Sequence, residues 1–238
     1  MLTSSTSEAL QDYRSEEELF DIGDPVINTS LTAQQIFNKD PAKRGSGLGD
    51  SEQTSGGLKT APTAKAAQDP NGQWIGYICI PRIQTFVFTC WVAKAQLGWQ
   101  PPKAGAQAAD ISANTMAGAT KYECAHVKVY QAAGKRVSKC YGEKVMSITT
   151  RPKATRQAAI DKALELEQKL FLDCLQAYRN IAEKYHAVHG WADARPCTEG
   201  SKWEWYVPDP DWFTSQGLDA KIQAEPLNVP VPVDKLAE

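Results

Sequence analysis

Thiols, imidazoles and a run of cations are the side chains of this chain with the most chemistry in them. Cys124 and His126 stand two apart, and Cys140 follows beyond Gln131-Ala132-Ala133-Gly134, which reads as a hairpin loop with Gly134 in the left-handed position. A hairpin closed there puts Cys140 on the same sheet face as Cys124 and His126, with Cys124 and Cys140 within reach of a disulfide. A cysteine beside an imidazole is also the arrangement of an activated nucleophile. Further on, His186 and His189 are spaced i, i+3, with Cys197 beyond them, a donor set that suits zinc. The chain has no CxxC or HxxxH unit, however. The expectation is therefore no metal, with the two histidines serving the C-terminal dipole of a helix.

Other catalytic signatures are missing. Gly45-Ser46-Gly47-Leu48-Gly49 has neither a strand before it nor a GK[ST] after it, and there is no GxSxG or HExxH. Asp209 and Asp211 sit in a loop broken by Pro208 and Pro210 and read as turn carboxylates. The chain reads as non-enzymatic and without a cofactor.

The cations lie between Lys121 and Arg156, where nine basic residues face only Glu123 and Glu143. Tyr122, Tyr130 and Tyr141 are interleaved with them. A basic strand face with aromatics holds a single-stranded nucleic acid by phosphate pairing and base stacking, and the residues for that role are Lys128, Lys135, Arg136, Lys139, Tyr130 and Tyr141. The competing partner is acidic protein. Residues 1–40 carry Glu8, Asp12, Glu16, Glu17, Glu18, Asp21, Asp24 and Asp40 against only Arg14 and Lys39. A net charge of −2 over 238 residues gives the whole molecule no general pull on polyanions.

The elements that must position these groups follow from periodicity. Trp74–Ile80 and Thr85–Val92 read as apolar strands joined through Pro81-Arg82. Tyr122–Tyr130 alternates and reads as a strand, with a return strand from Arg136 to Thr150. From Thr155 to His189 the period becomes 3.6, with an apolar arc wider than one surface helix needs, and Gly190 as the stop. Ser30 or Thr32 is expected to cap a short helix through Phe37. The fold class expected is α+β: a small antiparallel sheet of about four strands in two hairpins, packed on one long amphipathic helix.

Three regions result. Residues 1–72 are an acidic and then Gly/Ser-rich arm and linker, 73–190 the core domain, and 191–238 a Trp/Pro-rich arm. Trp203, Trp205, Tyr206, Trp212 and Phe213 carry more aromatic surface than a solvated arm keeps exposed, so they are expected to dock. No start resembling a signal peptide and no run of spanning length is present, which points to a protein made in a cytosol and not placed in a membrane. Extended arms, an oversized helix face and long Ala/Gly/Gln loops suit a structural subunit that holds copies of itself and other subunits. The commonest setting for that architecture is a virus or phage virion, as a capsid, neck or tail component made in the host cytoplasm. Single-stranded nucleic-acid binding through 121–156 is the alternative.

Overall fold

Ile83–Val92, the strand richest in aromatic and β-branched residues, is the axis of the larger sheet, as its composition favours. The computed structural model describes residues 20–39, 49–92, 113–188, 196–199, 202–205 and 212–234. In chain order the elements are β1 (Phe20–Ile22), β2 (Val26–Asn28), α1 (Ala33–Lys39), β3 (Gly49–Thr60), β4 (Thr63–Gln68), β5 (Trp74–Ile80), β6 (Ile83–Val92), α2 (Ala113–Val145), α3 (Arg156–Val188), β7 (Pro196–Glu199), β8 (Lys202–Trp205), α4 (Trp212–Ser215) and α5 (Leu218–Gln223).

Strands β1 and β2 lie end to end along one side of β6, both parallel to it, and β3 runs antiparallel along the other side. Strand β5 pairs with β4 in a separate sheet. Its free edge meets the backbone before α3, where Trp74 exchanges hydrogen bonds with Lys153, and Gly76 with Thr150. Gly76 permits this closeness, because a Cβ there would collide with the Ala159 carbonyl of α3. Thr32 and Gln35 cap α1 reciprocally, Thr32 Oγ1 accepting from the Gln35 N–H and Gln35 Oε1 from the Thr32 N–H.

The mixed α+β class holds, and the expected long helix is α3, capped by Thr155 Oγ1 accepting from Ala158 N–H at 3.2 Å. Three finer expectations change. Strands β5 and β6 do not pair with each other; they are parted into two sheets at Pro81-Arg82. The segment expected as a linker contributes β3 and β4, and the turn from β4 to β5 closes on Asp69 Oδ1, the acceptor for the Asn71 and Gln73 N–H groups, with Gly72 at φ 75°.

The third change is the largest. The expected second hairpin is a 33-residue helix, α2. Ala125, Val129, Ala133, Val137, Cys140, Tyr141 and Val145 recur at helical spacing and are all buried. The alternation of Ala125, Val127 and Val129 mimics a strand because α2 is covered on several sides, so both Val127 and Val129 are buried. It packs against β1, β3 and β6 and against α3, α4 and α5. Gly134 serves close packing and not a turn: a Cβ there would meet Ile22 Cδ1 at 2.7 Å and the Phe20 carbonyl at 3.1 Å.

Helices α2 and α3 run antiparallel. Tyr141 meets Glu167, Tyr130 meets Tyr178 and His126 meets His186 in reversed order. The core also draws on residues beyond this block. Phe20 and Ile22 from the N-terminal side, and Phe213, Leu218, Ile222 and Val229 from the C-terminal side, belong to one buried cluster. Residues 218–234 are strapped to the helices: Gln223 Nε2 donates to the Ala132 carbonyl, Arg136 Nε to the Glu225 carbonyl and Lys184 Nζ to the Glu225 carboxylate. Lys153 and Lys162 hold Asp234 at 2.5 and 3.7 Å.

Candidate functional site

The densest polar cluster lies where α2 crosses β3. Glu123 and His126 face inward on successive turns of α2 and are almost completely buried. Ser51 Oγ of β3 lies 3.4 Å from His126 Nδ1, and Glu123 Oε2 lies 3.4 Å from the same nitrogen. The His186 ring of α3 stands edge-on to His126 at 4.8 Å. Gly49 makes room for the glutamate, since a Cβ there would sit 2.6 Å from Glu123 Oε1. This group has the residue types of a hydrolytic triad but not its geometry. A relay needs serine and carboxylate on opposite ring nitrogens, so that one can be deprotonated while the other orients the ring. Here both contacts fall on Nδ1, so His126 cannot pass a proton between them. The cluster positions α2 on β3.

The cysteine expectations change with the hairpin. Cys124 and Cys140 lie on one helix, 16 positions apart, about 24 Å along its axis at ~1.5 Å per residue. They cannot bond within the chain, because a disulfide needs Cα atoms within about 7 Å. The same distance removes Cys140 from any nucleophile pair with His126. Each thiol has a different partner: Cys124 meets Cys90 of β6, and Cys140 meets Cys174 of α3. The Cys174 hydrogen bond, helped by Lys144 and Arg136 against the effect of burial, holds the Cys140 thiol down to about 7. Burial pushes the Cys90 thiol well up. His186 faces His126 within the fold, while His189 lies outside the described residues. Among the described residues, no three His, Cys, Asp or Glu side chains are grouped to hold a metal ion.

The basic segment is reorganised rather than lost. Lys121, Lys128, Lys135 and Lys139 are all exposed on α2. At ~100° per residue they fall within about 40° of one another, as a stripe about 27 Å long. They form no ion pair among the described residues. The other three residues expected with them are committed inward. Arg136 binds the Glu225 carbonyl at 3.0 Å, Tyr130 stacks on Phe88 at 4.5 Å, and Tyr141 is fully buried. Neither tyrosine offers a face to a base.

Of the aromatics expected to dock, Phe213 is buried in the chain's own core. Trp203 and Trp205 lie on β8, paired with β7, and Trp212 opens α4. Their side chains, and Tyr206 altogether, lie outside the described residues.

A second buried network had no signal in the sequence. Glu167, fully buried in α3, accepts from Arg82 Nε at 3.1 Å and Nη2 at 3.0 Å, and from Tyr141 Oη at 2.5 Å. The Arg82 guanidinium also lies over the Phe171 ring, 4.5 Å from its centroid. Arg82 follows Pro81 in the link between the two sheets, so this network ties that link to both long helices. Its acceptors and donors are used internally, which makes it a structural tie.

Among the described residues no helix is long and apolar enough to cross a membrane. Neither a family model, a curated protein nor a solved structure matches the chain.

Proposed function

We propose that this protein is a structural, non-enzymatic subunit of a multi-subunit assembly, with a virus or phage particle as its setting. The observation that carries the reading is the exposed apolar edge of the larger sheet. Its edge strand β2 presents Val26 and Ile27, 52% and 44% exposed. An exposed apolar edge strand is a template for another chain, and proteins that stay alone blunt it with bulges, charge or cover. The inward packing of Phe213 and of the 218–234 strap shifts the expected contact surface toward this edge.

The test is the native mass of the protein in extracts of cells that make it and after purification. The reading expects a particle many times the mass of the chain, reduced by Ile27→Lys without a fall in melting temperature. A compact monomer in both preparations overturns it.

The lysine stripe of α2 favours a second reading, single-stranded nucleic-acid binding by phosphate contact alone. Four lysines predict log K falling with log salt at a slope of about −3. Fluorescence anisotropy of a labelled oligonucleotide measures this; no binding at low salt rules it out, and a loss with Lys128→Glu and Lys135→Glu supports it.

A further inference from the structure

We propose that the folded chain carries two latent disulfides, Cys90–Cys124 and Cys140–Cys174, which form when it meets a small disulfide oxidant such as glutathione disulfide. The proposal goes beyond the assembly reading and does not depend on it.

Contacts of neighbouring residues place each pair independently of the sulfurs. Ser51 of β3 is the cross-strand partner of Cys90, and Ser51 Oγ reaches His126, two residues from Cys124 on α2. Phe88, on the same face of β6 as Cys90, stacks on Tyr130 of α2, so the 123–130 stretch of α2 that carries Cys124 lies over Cys90. In the second seam, Tyr141 adjoins Cys140 and touches both Glu167 and Phe171, two turns and one turn before Cys174 respectively. Cys140 and Cys174 are both buried in that seam. Within each pair the two thiols act on each other's ionisation. Four of the cysteines thus fall into two contacting pairs, one joining α2 to β6 and the other joining α2 to α3.

The chemistry balances by exchange. When local opening of the α2–α3 seam exposes Cys140, its thiol releases its proton to solvent, and the thiolate attacks one sulfur of glutathione disulfide, expelling a glutathione thiolate. Cys174 then loses its proton, attacks the Cys140 sulfur of the mixed disulfide and expels the second glutathione thiolate. Two electrons pass from the thiol pair to the glutathione disulfide. Cys124, half-buried, begins the same sequence for its pair, with fully buried Cys90 as the resolving thiol. A reducing cytosol keeps both pairs open, and release into an oxidising medium closes them.

The experiment incubates the native full-length chain with glutathione disulfide, quenches with acid, alkylates in denaturant and maps peptides by mass spectrometry. The expected result is loss of alkylation at Cys90, Cys124, Cys140 and Cys174, recovery of the two linked peptide pairs, and retained alkylation at Cys79 and Cys197. In Cys174→Ser, Cys140 is expected to stop at the mixed disulfide with glutathione. Free thiols at all four positions after an incubation that oxidises the urea-unfolded chain overturn the proposal. So do linked peptides that join any other partners.

Discussion

Replacing Glu167 with glutamine tests whether the buried network is a tie. The substitution keeps volume and one acceptor but removes the charge facing Arg82, whose side chain is 15% exposed. Breaking a buried pair from one side costs about 3–5 kcal/mol, because the other charge is left buried and uncompensated. Arg82 retains Gln168 and the Phe171 face as partners, which places the expected cost at the lower end, about 3 kcal/mol. Removing both charges as Arg82→Met with Glu167→Met is expected to recover at least ~2 kcal/mol of the summed single costs, since no orphaned charge remains. Urea unfolding followed by circular dichroism measures the wild type, Glu167→Gln, the two methionine singles and their double, and an unchanged m-value ensures that the midpoints report stability. A cost below ~1 kcal/mol for Glu167→Gln, or a double mutant that simply sums the singles, refutes the account.

The two buried tyrosines on this seam predict opposite outcomes. Tyr141→Phe removes one of the two donors on Glu167 Oε1 and the acceptor of the Arg82 N–H, and is expected to lose about 1–3 kcal/mol, whereas Tyr178 Oη has no hydrogen-bond partner among the described residues, so Tyr178→Phe is expected to be neutral or stabilising in the same urea assay. Burial, and for Tyr141 also the Glu167 charge, raises both phenol pKa values above the free value of ~10. Their contribution is complete below that value and lost as pH climbs beyond it, so alkaline titration monitored at the tyrosinate absorbance is expected to show these two ionising only with unfolding. Hydrogen bonds from Lys184 and Tyr185 hold Glu225 below the usual carboxylate range; burial pushes Asp234 up, but Lys153 and Lys162 outweigh it. That stabilisation is present above the unfolded value of ~4 and lost as pH falls through the folded values, so limited proteolysis is expected to cut within 218–234 in acid before the helices unfold. Gly76→Ala forces β5 away from the Ala159 carbonyl and is expected to lower the melting temperature by several degrees, the overpacking cost being about 1–3 kcal/mol.

The oxidation proposed above adds a stability prediction. Each bond closes a loop of about 35 residues, which in the chain-entropy model stabilises by about 3–4 kcal/mol. Thermal unfolding of the oxidised chain is expected to rise accordingly, and an unchanged midpoint counts against unstrained bonds.

Local chemistry determined much of this protein. The runs at 74–80 and 83–92 are strands because aromatic and β-branched residues suit a pleated, covered surface. Helix α3 was legible because its 3.6-residue period continues unbroken, and the structure sets its start behind Thr155. Helix α2 was not legible, because period-two alternation beside an Ala-Ala-Gly run looks like a strand and a turn. Only packing on several sides at once lets a helix bury Val127 and Val129 together. The same step decided the fate of the chemistry-bearing residues. As a hairpin, 121–156 would join Cys124 to Cys140 and present Tyr130 and Tyr141 on a basic face. As a helix, it separates the two cysteines by four turns, gives each a partner on another element, and turns the tyrosines inward while leaving the lysines in line. Sequence determines which side chains are available, but partners more than a few turns apart are assigned by the tertiary crossing of elements, and no local period encodes that crossing.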